Sequence, residues 1–159
     1  MRVLFVCLGN ICRSPTAEGV FRRLLAERGL EDVVSVDSCG IGSWHLGKAP
    51  DSRAQAAALR RGIDLSPLRA RQLCVEDFYR FDYLLAMDHD NLAAIEALRP
   101  ADSSAEAALF LTYAGYPERA VPDPYYGGEH GFEEVIDLIE AASQGFVETL
   151  RERLEARRS

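Results

Sequence analysis

The chain has 159 residues, 48% of them hydrophobic and 27% charged, with a formal net charge of -7. At this length it is read as one domain, residues 1–159, able to bury roughly 70% of its unfolded surface without disulfide or metal staples. The acidic balance excludes nucleic acid and anionic membrane surfaces as partners, which reward a basic face, and no low-complexity tract suggests disorder.

In chain order, Val3 to Val6 is a short apolar run without alternation, the pattern of a central parallel strand covered on both faces. It is too short for a secretory h-region or a membrane span, so no membrane insertion is expected. Cys7, Cys12, Cys39 and Cys74 are accordingly expected as reduced thiols in a cytoplasmic chain. From Pro15, the residues Ala17, Val20, Phe21, Leu24 and Leu25 follow helical spacing, and Gly29 supplies a stop. A strand is predicted over Val33 to Asp37, a helix over Ser52 to Arg61, a short helix around Val75 to Tyr79 and a strand over Asp82 to Met87. Asp88 or Asp90 caps a helix running through Leu98, and Ala107 to Leu111 reads as a fourth strand. Tyr113 to His130, with three prolines and four tyrosines, reads as a long loop. A helical stripe from Phe132 to Leu154 closes the chain, interrupted at Ser143 to Gly145. Strands alternating with helices imply a doubly wound α/β sheet, with its ligand site at the carboxyl ends of the strands.

The segment "CLGNICRSPTAEG", residues 7 to 19, lies at such an end. Its Cys7 and Arg13 stand in a Cys-x5-Arg spacing that places a sulfur nucleophile and a guanidinium around a ring of backbone N–H groups. The spacing alone is weak, because Cys74 and Arg80 in "CVEDFYR" match it too. That second match has no glycine and no apolar strand before it, and Glu76 and Asp77 within it would repel a phosphate, so Cys74 is read as structural. In the first match, Gly9 allows unusual backbone angles, Asn10 tolerates the left-handed region, and a helix begins near Arg13. Consecutive N–H groups can converge there as an anion nest backed by the helix dipole, a field that favours a thiolate at Cys7. Ser14 can donate its hydroxyl to that thiolate. A Walker-type loop is excluded because no Gly-Lys-Ser/Thr occurs, and a zinc site because His45, His89 and His130 show no ligand-like spacing with the cysteines. A packing loop with two buried cysteines leaves Asn10 and Arg13 unexplained.

"VCLGNICRSPTAEG" at 6 to 19 and "DPYYGG" at 123 to 128 closely resemble the low-molecular-weight protein tyrosine phosphatases. Weaker similarity in "SWHLG", "ARQL" and "DYLLAMD" extends the resemblance over nearly the whole chain. It implies a flavodoxin-like domain with a four-stranded parallel sheet and helices on both faces, hydrolysing protein phosphotyrosine and small aryl phosphates with no metal and no cofactor. By the same resemblance Cys7 attacks phosphorus to give a phosphocysteine, Arg13 grips two phosphoryl oxygens, and Asp123 serves as general acid and then general base. Leu8, Gly9, Asn10, Ile11, Cys12 and Ser14 form the phosphate loop, Ser38 supports it, and Trp44, Tyr125 and Tyr126 wall the substrate cleft. The partner implied is a tyrosine-phosphorylated protein, with phosphate as product inhibitor. Cys12 is expected to trap an oxidised Cys7 as a reversible disulfide. One departure is visible: many relatives carry a histidine where this chain has Leu68, which implies a thinner polar network behind the loop.

Three other functions share this pattern. An arsenate reductase would need further cysteines in a mobile segment, and residues 81–98 contain none. A phosphoarginine phosphatase would place a threonine where Ile11 stands and a single aromatic after Asp-Pro. A phosphate-binding module without turnover would have no need of Asp123 beside Cys7 and Arg13.

Overall fold

A computed structural model describes residues 1–125 and 129–158. Strand β1 (Arg2–Cys7) is buried along its length apart from Arg2 and lies between β2 (Ser35–Gly40) and β3 (Tyr83–Ala86); β4 (Glu106–Leu109) completes a parallel sheet of order β2-β1-β3-β4. A strand with partners on both sides and helices over both faces has no solvent side, which is why β1 does not alternate. Val3, Phe5 and Cys7 face the core shared with helices α1 (Arg13–Glu27), α2 (Ser52–Leu59) and α5 (Glu129–Arg158). Leu4 and Val6 face the other core, with Phe78 from α3 (Asp77–Arg80) and Ile95 from α4 (His89–Leu98).

The structure shifts several predicted boundaries. Helix α1 begins at Arg13, where the sequence places it, with Pro15 in its first turn, where the missing N–H has no intrahelical partner to lose. Strand β2 starts at Ser35 and runs to Gly40, later than Val33 to Asp37, because its register on β1 pairs Arg2 with Ser35 and Cys7 with Gly40; Val33 remains exposed. Strand β4 stops at Leu109, and Phe110 and Leu111 turn into a 3-10 segment (Phe110–Ala114) closed by Gly115 in the left-handed region. The largest correction is at Ser143 to Gly145, which does not interrupt α5. A Cβ on Gly145 would fall on the Tyr113 carbonyl oxygen, so this glycine exists for close packing against the 3-10 segment. Among the described residues no helix is long and apolar enough to cross a membrane.

Candidate active site

Cys7 is the last residue of the central strand and Arg13 the first of α1, so residues 8–12 must turn the chain within five positions. The carbonyls of this turn are bonded outward: Ile41 N donates to Cys7 O, Gly42 N to Leu8 O, Asp51 N to Ile11 O and Thr16 N to Cys12 O, at 2.8 to 3.2 Å, and the Thr16 hydroxyl also donates to Cys12 O at 2.6 Å. These bonds turn the carbonyl oxygens away from the centre, as an anion nest requires. Asn10, with φ of 57°, carries the left-handed step. Gly9 was expected to share it but does not have a positive φ. Its missing side chain instead makes room for His45, whose Cδ2 would lie 3.0 Å from a Cβ there.

The Asn10 side chain locks the turn. Its Oδ1 accepts from Arg71 N at 3.0 Å, and its Nδ2 donates to Ser14 Oγ at 2.8 Å and Ser38 Oγ at 3.0 Å. Since Asn10 fills an acceptor site on Ser14, that hydroxyl's single proton is available to Cys7 Sγ, 2.9 Å away, or to Cys39 O at 3.3 Å. A thiolate takes it, being the stronger acceptor. The sulfur also accepts from Asn10 N at 3.3 Å. Ser38 Oγ in turn donates a hydrogen bond to Glu18 Oε1 at 2.7 Å. Glu18 is buried, and burial raises its pKa above the usual carboxylate range, opposed by the Ser38 hydrogen bond. Leu68 packs against the core, and the network it was expected to thin runs instead through Ser38 to Glu18 and through the Arg71 backbone.

Arg13 is only 3% exposed. Its Nη1 donates to Asp88 Oδ2 at 2.7 Å and to Val121 O at 3.0 Å, and its Nη2 lies 3.6 Å from Asp123 Oδ2. Asp88 does two jobs, since its Oδ1 also caps α4 by accepting from Asn91 N at 2.7 Å. Asp123 reaches the loop because Val121 N bonds Met87 O at 2.7 Å, hanging the segment from the end of β3. Cys7, Arg13 and Asp123 thus open onto one cleft of about 310 Å³, walled by Leu8, Ile11, Trp44, His45 and Tyr125. Trp44 lies across Gly42, where a Cβ would meet the indole, and the His45 and Tyr125 rings are 6.3 Å apart. Cys12 lines the same cleft, and its thiol is held well above its ordinary pKa, first by burial and then by the Asp51 charge. Tyr126 lies outside the described residues.

Residues 2–156 of this chain match the family model of the low molecular weight phosphotyrosine protein phosphatases. The chain belongs to that family. It is 45% identical over 152 residues to the low molecular weight phosphotyrosine protein phosphatase of Schizosaccharomyces pombe, covering 94% of this chain and 97% of the relative. Its backbone superposes on a protein tyrosine phosphatase of Entamoeba histolytica, solved with Hepes in the active site, with TM-score 0.91 at 38% identity, covering 96% and 97% of the two chains. An arginine phosphatase of Drosophila superposes with TM-score 0.87 at 34% identity, covering 94% and 98%.

Within this phosphatase fold, sequence reasoning missed three residues of the site. Asp88 carries a local signal as a helix cap and none as the partner of Arg13, which is distant in sequence. Gly40 sits behind the loop, where a Cβ would lie 2.9 Å from Leu8 O and 3.0 Å from Asn10 N, and no motif marks it. His45 was weighed only as a metal ligand. Among the described residues no group of three or more His, Cys, Asp or Glu side chains is gathered to hold a metal ion.

Proposed function

We propose that residues 1–159 form one catalytic domain that hydrolyses protein phosphotyrosine in the cytoplasm, in two steps through a phosphocysteine on Cys7. The phosphoryl group enters the ring of N–H groups from residues 8–13, and Arg13 holds two of its oxygens with Nε and Nη2, a fork that lysine cannot copy. Asp88 and the Val121 carbonyl keep the guanidinium in place for this through Nη1. The Cys7 thiolate attacks phosphorus as the bond to the tyrosine oxygen breaks, and Asp123 delivers a proton to that oxygen, which would otherwise leave as a phenolate of pKa about 10. Asp123 then takes a proton from water as the water attacks the phosphocysteine, and the sulfur departs toward the Ser14 hydroxyl. Phosphate is left in the nest as a product inhibitor. The aromatic walls Trp44 and Tyr125 suit an aryl ester.

One observation carries this reading: Cys7 Sγ at the floor of the cleft, 2.9 Å from the Ser14 hydroxyl, with the buried Arg13 on the same loop. The likeness to the Drosophila arginine phosphatase favours phosphoarginine as the second substrate to test, against Ile11 and the Tyr125-Tyr126 pair. Turnover of phosphotyrosine, phosphoserine and phosphoarginine peptides is measured with EDTA present. The expected order places phosphotyrosine far ahead. Faster cleavage of phosphoarginine, or no turnover of any, overturns the assignment.

A further inference from the structure

Asp123 is 41% exposed and sits on a connecting segment, an unpromising place for a group that must meet a leaving oxygen within hydrogen-bond reach. Its Oδ1 accepts from Tyr125 N at 3.0 Å, so the orientation of the carboxyl depends on where Tyr125 is held. The Tyr125 backbone is in turn gripped by Arg53, whose Nη2 donates to Tyr125 O at 2.9 Å. The same guanidinium lies over the Tyr125 ring, 5.6 Å from its centroid, and over the Phe132 ring at 4.9 Å. Its other bonds run to Asp51, with Nε to Oδ1 at 3.1 Å and Nη2 to Oδ2 at 3.0 Å. Asp51 is the N-cap of α2, accepting also from Arg53 N at 2.8 Å, and its own N–H donates to Ile11 O of the phosphate loop. The Arg53 hydrogen bond keeps the Asp51 carboxyl below the usual carboxylate range, so the pair stays ionised.

We infer that Arg53 is a positioning residue for the general acid, tying the Asp123-Pro124-Tyr125 segment to the phosphate loop through Asp51 so that proton donor and nucleophile keep one geometry. The inference rests on the assignment of Asp123 as the acid. Arg53 is not among the residues lining the cleft, and its Nε and Nη2 are committed to Asp51 and Tyr125. A lysine there would keep the charge and lose both the fork and the flat contact with the two rings.

The test is a double-mutant cycle of Arg53→Ala with Asp123→Asn, read as kcat over aryl phosphates of graded leaving ability, with Arg53→Lys as a milder variant and inhibition by inorganic phosphate as the measure of an intact loop. Arg53→Ala should lower kcat for phosphotyrosine about 10- to 100-fold, the scale of a misplaced catalytic group. The loss should shrink for good leaving groups, with phosphate inhibition unchanged. Arg53→Lys should show the same trend at smaller size. In the Asp123→Asn background, Arg53→Ala should add no more than about a twofold loss, because its effect passes through the missing acid. An equal loss in both backgrounds, or one independent of leaving group, overturns the inference and leaves the acid in place. A leaving-group-independent loss in Asp123→Asn itself removes the acid assignment, and the inference with it.

Discussion

Two segments of this chain carry the same Cys-x5-Arg spacing, 7 to 13 and 74 to 80, and they fold to opposite ends. In the first, a buried central strand delivers Cys7 into a turn whose carbonyls are tied outward, and a 15-residue helix begins at an arginine that is 3% exposed. In the second, Cys74 and Arg80 are both exposed, an isolated bridge of Gln72 with Gly40 precedes the turn in place of a strand, and the helix has 4 residues. The decisive difference is where the negative charge comes from. Asp77 Oδ2 accepts from Cys74 N at 2.9 Å and from the Cys74 thiol at 3.4 Å, and Arg71 clasps both carboxylate oxygens at 3.0 Å. In the second turn the carboxylate lies within the turn and takes its N–H and thiol; in the first, Asp88 and Asp123 reach Arg13 from outside it and the carbonyls of the turn are bonded outward. Whether a turn can cradle a phosphate therefore depends on which way its carbonyls and carboxylates are turned, a property that residue spacing does not encode.

The largest effect that divides the two segments is on turnover. Cys7→Ser should abolish it while inorganic phosphate still binds, since the N–H ring and Arg13 remain, whereas Cys74→Ser should keep kcat near the wild-type value. Steady-state assays and calorimetric phosphate titration check both. A phosphoenzyme trapped on any residue other than Cys7 would sink the contrast.

A second difference is that the first segment holds two thiols. Peroxide should convert Cys7 to a sulfenic acid, the oxidant taking an electron pair from sulfur. Attack by the Cys12 sulfur should then form a disulfide and expel water, sparing Cys7 the irreversible sulfinic form. Burial keeps the Cys12 thiol protonated in the resting state, so it does not compete with Cys7 as nucleophile. Wild-type activity should fall with peroxide, fall more slowly with phosphate bound, and return with a thiol reductant. Cys12→Ser should retain most of its initial activity and fail to recover. Full recovery of that variant under the same reductant would make Cys12 a packing residue.

What could be read from the sequence divides by range. The strand, turn and helix from Val3 to Leu25 were legible because apolar patterning, Asn10 and a helix stop all act within a few residues. The doubly wound architecture followed from the same local signals repeated along the chain. Asp123 entered only through family resemblance, because nothing local distinguishes it from a turn aspartate. Asp88 and Gly40 escaped for the same reason: one meets Arg13 from beyond the end of the neighbouring strand β3, and the other is defined by atoms of Leu8 and Asn10 that reach it only after folding. Gly145 was misread outright, because a glycine that ends a helix and one that admits a neighbouring backbone look alike until Tyr113 is in place.

The smallest functional effect, and the sharpest test of the contrast, comes from removing the internal anion. Asp77 is 1% exposed and satisfies the Cys74 N–H and both terminal nitrogens of Arg71. Asp77→Asn keeps the shape but sets an amide N–H₂ against one of these donors, leaving a buried polar group unsatisfied at a cost of about 1 to 3 kcal/mol. Arg71 is partly exposed and also bonds Asp37 at 3.0 Å, so the full penalty of an orphaned buried charge does not apply. For a domain of this size, each kcal/mol lowers Tm by about 2 to 4 °C. The kcat should nevertheless stay near wild type. The Arg71 backbone that supports Asn10 is fixed independently of its side chain, through Gly40 N to Arg71 O and Leu73 N to Gly40 O, each at 2.8 Å. Thermal unfolding of the variant, followed alongside kcat, reads both halves of the expectation. An unchanged Tm would show that the carboxylate does not hold the second turn together, and a large fall in kcat would show that the two turns are coupled rather than independent.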